Sequence, residues 1–173
     1  MRGGTAMNKD LLAIIQKIKG VTGRYPAKKQ LQKIVYLIQA KGIDLGYEYG
    51  IHFYGPYSEG LSHDLLGLCV SGLINFQLNG QRHEIISYAS NVKMTLPPDS
   101  EKLVDNIINE YSNATLHELE LVTTAHFVAV NIGGSEDDIY DGVVRIKGDK
   151  NTGSQIRAAI RDLERNFSGN VYC

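Results

Sequence analysis

The amino-acid sequence predicts a mainly α (α+β) chain in two halves, and three observations carry that class. Apolar residues recur at helical spacing in two successive early segments. An Asn79-Gly80 dipeptide separates two segments of alternating polarity. A Pro97-Pro98 break then precedes four further helical stretches.

Taken in order, Leu11, Ile14, Ile15 and Ile18 follow the i, i+3, i+4, i+7 pattern of one helix face, with Gly20 and Gly23 as terminators. Leu31, Ile34, Val35 and Ile38 repeat the pattern up to Gly42. Tyr47–Tyr54 is aromatic and alternating, which reads as one short strand. Gly55-Pro56 reads as a corner into a third helix carrying Leu61, Leu65 and Leu68, for which Ser58 or Gly55 can serve as cap. Gly72 stops that helix. Leu73–Leu78 and Glu84–Tyr88 flank Asn79-Gly80, the strongest short hairpin signal.

The order helix, helix, strand, helix, hairpin is a winged-helix (helix-turn-helix) arrangement with the hairpin as wing. Beyond Leu96 the segments 99–112, 115–131, 135–147 and 153–167 read as helices, with Asp99 able to cap the first and the polar run Asn151–Ser154 able to cap the last. The expected organisation is a winged-helix-like subdomain over 7–96 and a helical subdomain over 97–173. Met1–Ala6 precede a second start at Met7 and are set aside as a leader or expression scar.

Composition bounds the function. With 173 residues, 43% hydrophobic and 21% charged, the chain can bury a core. The longest uncharged stretches, Leu65–Gln81 and Leu121–Ser135, fall short of the roughly 20 apolar residues a membrane span needs. With no secretory leader in view, a cytoplasmic, membrane-free protein is expected. Cys69 and Cys173 are too few for a disulfide scaffold and read as free thiols. A net charge of -1 hides an asymmetry: residues 1–96 hold 11 Lys/Arg against 6 Asp/Glu, and residues 97–173 hold 7 against 13. Such halves either pack together or pair between subunits, so a homodimer is carried as an expectation.

No catalytic, cofactor or metal constellation emerges. None of the five histidines pairs with another at i, i+4, and His117-Glu118 lacks the second histidine of a zinc helix, since position 121 is Leu. Ser62-His63-Asp64 are consecutive and point in different directions on a helix, so they cannot form a proton relay. The stretch Gly148–Ser154 lacks the order of a phosphate-binding loop. The reading is therefore no enzyme and no cofactor.

Two binding classes remain. For nucleic acid the candidates are Arg24, Lys28, Lys29 and Lys33 around the second helix and Arg82 at the wing tip. The third helix argues against base reading, because Tyr57–Ser71 contains no Lys or Arg and carries Glu59 and Asp64. For a protein partner the candidates are Tyr49, Tyr54 and Tyr57 from an aromatic cluster, together with Tyr36. Exposed tyrosine suits such contacts. The competing reading packs Phe53, Tyr54 and Tyr57 into the core.

The stretches Lys29–Leu37 (KQLQKIVYL), Tyr49–Ser58 (YGIHFYGPYS), Leu61-x-x-Asp64-Leu65 and Gly72-Leu73-Ile74 together resemble the YwgA-like proteins and, more distantly, the SocA-like (Panacea) antitoxin domains. Leu119–Phe127 and Val144–Lys150 extend the likeness. The resemblance implies a non-enzymatic regulatory module that binds a protein, in the manner of an antitoxin facing its toxin or of a proteolytic adaptor. A DNA-binding winged-helix regulator is the alternative.

Overall fold

The structure is a computed structural model and describes residues 4–80, 83–88 and 94–168, with side chains from residue 9 onward. It is mainly α, with two small antiparallel sheets of two strands each. The chain divides into two compact units, residues 1–48 with 58–114, and residues 49–57 with 115–173.

In the first unit, α1 (Gly4–Thr22) places Leu11, Leu12, Ile14, Ile15 and Ile18 in the core. Its backbone is already helical at Gly4, inside the segment set aside as a leader. It passes through Gly20 and stops before Gly23, whose φ of 70° ends the helical path. The second helix, α2 (Lys28–Ala40), is buried on every side from Leu31 to Ile38, polar Gln32, Lys33 and Tyr36 included. Gln32 is satisfied by accepting from Ser58 N at 2.9 Å and donating to Ser58 O at 2.8 Å. Gln39 holds Tyr47 through the same pair of backbone bonds, each 2.9 Å. The Tyr47 phenol donates to Asp64 Oδ2 at 3.0 Å, and burial together with the Asp64 charge raises its pKa above the ordinary tyrosine value.

Helix α3 (Glu59–Val70) starts at Ser58, whose hydroxyl accepts from Leu61 N, and ends before Gly72 at φ 74°. A hairpin of β3 (Ile74–Leu78) and β4 (Glu84–Tyr88) follows over the expected segments, with Leu78 opposite Glu84, so the connection is longer than the two-residue turn that Asn79-Gly80 signals. Ala27, just before α2, bridges antiparallel to Ile85 on β4, with Ile86 N donating to Pro26 O at 2.9 Å. The next helix, α4 (Pro98–Tyr111), packs on α1 and α2, and Lys17 reaches Glu101 at 3.0 Å and Asp105 at 2.7 Å. This helix groups with the first unit, whereas the Pro-Pro break suggested a boundary at 96/97. The break is real, but α1 and α2 supply the apolar surface that α4 covers. Asp99 lies in the first turn and is not the cap, a position Pro97 occupies.

In the second unit, α5 (Leu116–Asn131) is the central element. It is buried at Leu119, from Leu121 to His126, and at Val128 and Ala129, with α6 (Glu136–Lys147) and α7 (Gly153–Phe167) packed on it. Capping boxes at Thr115/Glu118, Ser135/Asp138 and Thr152/Gln155 start the three helices. The Thr115 amide and hydroxyl hold the Glu118 carboxyl below its usual pKa. Gly142 lets α6 approach, since a Cβ there would lie 2.5 Å from Val128 Cγ1. A 3-10 turn at Gly148–Lys150 joins α6 to α7.

The expected strand Tyr47–Tyr54 is replaced by a hairpin of β1 (Gly50–His52) and β2 (Gly55–Tyr57) that belongs to the second unit. Tyr47 is buried in the first unit, and Gly55-Pro56 forms a strand where a corner was expected. Among the described residues no helix is long and apolar enough to cross a membrane. Cys69 is a half-buried free thiol, and Cys173 lies outside the described residues.

Candidate functional site

A hairpin with a two-residue loop ordinarily takes Asn, Asp or Gly at the loop, because those residues tolerate the backbone angles and water. Here His52 pairs with Gly55, so the loop is Phe53-Tyr54. Both side chains are exposed, Phe53 by 44% and Tyr54 by 54%, and Ile51 beside them by 37%. Their rings meet edge to face with centroids 5.1 Å apart. The fold gains little by placing apolar rings in water.

What holds the hairpin in place lies at its base. Gly55 has φ 87° and sits against α5, where a Cβ would lie 3.0 Å from Thr124 Oγ1 and 3.3 Å from the Glu120 carbonyl. Only glycine fits both the angle and the gap. Thr124 is itself fixed by donating to Glu120 O at 2.6 Å, and Thr123 to Leu119 O at 2.7 Å. Across the strands His52 meets Tyr57 edge to face at 5.4 Å.

Two cations flank the Phe53 ring. Lys147 Nζ lies 5.8 Å from its centroid and Lys150 Nζ 5.2 Å. Lys147 is 4% exposed and paired with Glu120 at 3.1 Å. Lys150 is exposed and, among the described residues, forms no ion pair.

The partner-binding candidates separate on this geometry. Tyr54 is at the loop, and Tyr49 and Tyr57 are half-buried on the hairpin strands' flanks. Tyr36 is buried, its phenol pushed up by desolvation, and is no surface residue. The competing reading that packs Phe53 and Tyr54 into the core fails, and neither Phe53 nor Ile51 was among the sequence-predicted surface residues. The signal available was the absence of any turn residue between two strands.

The nucleic-acid candidates do not assemble into a basic face. Lys28 is paired with Glu84 at 3.2 Å and stacked near Phe76 at 5.3 Å. Lys33, expected on a solvated face, is 3% exposed because α2 is covered on all sides. Arg24 and Lys29 are exposed, and Arg82 lies outside the described residues. On α3 the exposed large side chains are Leu66 and Val70. Among the described residues no group of three or more His, Cys, Asp or Glu could hold a metal ion.

Comparison with known proteins adds one relative. The chain is 33% identical over 63 residues to the uncharacterized protein YwgA of Bacillus subtilis (strain 168). Over that stretch the chain is YwgA-like. The match covers 36% of this chain and 38% of YwgA's own length. No family model matches the chain.

Proposed function

We propose that this protein is a non-enzymatic regulatory module that binds another protein through the Ile51–Tyr54 loop. The observation that carries the reading is a tight hairpin whose two loop residues are exposed aromatics, seated on α5 through a glycine that admits no side chain. Large rings on a braced support lose little conformational entropy on binding, which is the profile of an interface anchor. The resemblance to SocA-like domains supports an antitoxin-like or proteolytic-adaptor role, with a toxin as one class of partner, acting in the cytoplasm.

The test is affinity capture from native lysate with the tagged wild type and with the double variant Phe53→Ser, Tyr54→Ser, followed by analysis of both protein and nucleic acid. One protein in stoichiometric amount that the variant fails to retain supports the reading. Indistinguishable eluates overturn it.

A second reading, a DNA-binding winged-helix regulator, draws support from the Ala27–Ile85 bridge, which adds a third segment to the β3–β4 hairpin as in a winged-helix sheet. Its phosphate contacts would fall to Arg24 and Lys29. Steeply salt-dependent DNA binding that Arg24→Glu plus Lys29→Glu abolishes would establish it, and salt-insensitive or absent binding removes it.

A further inference from the structure

The geometry points to a specific complement for the loop: an apolar recess on a partner protein, bordered by carboxylates that meet Lys150. This deepens the protein-binding reading and rests on it. The apolar part of the surface is Ile51, Phe53 and Tyr54, each more than a third exposed. The charge on its border is asymmetric. Lys147 is neutralised by Glu120 at 3.1 Å, while Lys150, 5.2 Å from the Phe53 centroid, has no ion-pair partner among the described residues. The loop therefore offers two rings and one uncompensated cation.

Chemistry elsewhere in this unit separates a recess from a flat anionic surface. Residues 49–57 and 115–173 hold 6 Lys/Arg against 9 Asp/Glu. Asp149, next to Lys150, is exposed. An extended anionic membrane would meet Asp149 as well as the loop, since exposed charges are felt over about 8–10 Å at ordinary ionic strength. A recess that takes up only the loop meets the rings and Lys150 and leaves the remaining acidic surface in water. Charge on the rim of such a contact acts mainly on association rate and salt dependence, and the buried rings act on dissociation.

The experiment uses the full chain and the protein captured by the wild type. Binding kinetics are measured at about 50 mM and 300 mM salt, a range over which screening of exposed charges changes strongly, for the wild type, Lys150→Glu, Lys150→Ala and Phe53→Ser. The expected result is slower association for Lys150→Glu, by about tenfold at low salt with the difference shrinking at high salt. Lys150→Ala should fall between, and Phe53→Ser should dissociate faster. Vesicles of phosphatidylserine and phosphatidylcholine are probed in parallel, as is self-association of the chain with concentration. Captured protein that binds Lys150→Glu like the wild type while losing Phe53→Ser would overturn the acidic border and leave the protein-binding reading intact. Phe53-dependent vesicle binding or self-association without a captured protein, or capture of nothing by the wild type, would overturn both.

Discussion

The substitution Gly55→Ala tests how the hairpin is held. Two costs combine at this position. A non-glycine residue at φ 87° costs roughly 1–2 kcal/mol. Its Cβ would also meet Thr124 Oγ1 at 3.0 Å and the Glu120 carbonyl at 3.3 Å. The carbonyl belongs to α5 and the hydroxyl is bonded to it, so neither yields easily, which adds about 1–3 kcal/mol of overpacking. The expected loss is about 2–5 kcal/mol in urea unfolding followed by circular dichroism. Two other glycines separate the terms. Gly148, at φ 65° and ψ -166° with nothing within 4 Å of its would-be Cβ, carries a backbone cost alone, so Gly148→Ala should lose about 1–3 kcal/mol. Gly142 is helical and crowded by Val128 Cγ1 at 2.5 Å, so Gly142→Ala isolates packing, reduced by about 1 kcal/mol of gained helix propensity. Gly50→Ala, with open space and no positive φ, should change little. If Gly55→Ala unfolds with the wild type, within about 0.5 kcal/mol, the seating of the hairpin on α5 is refuted.

Other consequences follow from the same geometry. Buried His126, packed edge to face on Phe167 at 5.2 Å, has its pKa lowered to about 4 by desolvation. The unfolded chain, near the ordinary 6.5, therefore takes up the proton first, and stability falls as pH drops from about 6.5 toward 4 by roughly 3 kcal/mol. Acid titration of unfolding free energy for wild type and His126→Phe should show that fall reduced in the variant. Removing one member of the buried pair, Lys147→Met, leaves Glu120 uncompensated and should cost about 3–5 kcal/mol, with Lys147→Met plus Glu120→Leu recovering much of it in a double-mutant cycle. Thr115→Ala removes the α5 cap and should cost about 1 kcal/mol by thermal unfolding. Phe53→Ser and Tyr54→Ser, at exposed positions, should unfold within about 0.5 kcal/mol of wild type, which keeps their binding phenotypes interpretable.

Much of the fold was legible locally. Helical periodicity located α1 to α3 and the four later helices to within a residue or two of most observed ends, and Asn79-Gly80 marked the place of the β3–β4 hairpin, though not its register, since Leu78 pairs with Glu84 and the connection is longer than the two-residue turn that the dipeptide signals. What escaped depends on contacts distant in sequence. The β1–β2 hairpin has no turn residue in its loop, so its alternation read as one strand. The reason for its reversal, the fit of Gly55 against Thr124 and Glu120, lies some 65 residues away. Lys33 read as solvated because periodicity assigns one apolar face, whereas α2 is covered all round. Tyr36 was misplaced for the same reason. The basic cluster around Lys28 dissolved because Glu84, more than 50 residues on, takes up its charge. The Pro-Pro break marked the start of α4 correctly, yet which unit that helix joins is decided by apolar surface on α1 and α2, to which local punctuation is blind.

The most direct test of the central claim is photo-crosslinking in the native cell, with a photoreactive phenylalanine analogue replacing Tyr54, or in parallel Val70 on α3 or Arg161 on α7, all exposed positions. The expected result is one discrete protein adduct from position 54 and none of that mass from position 161. An adduct with DNA, or a protein adduct formed from position 70 and absent from position 54, would contradict the assignment of the loop as the binding surface.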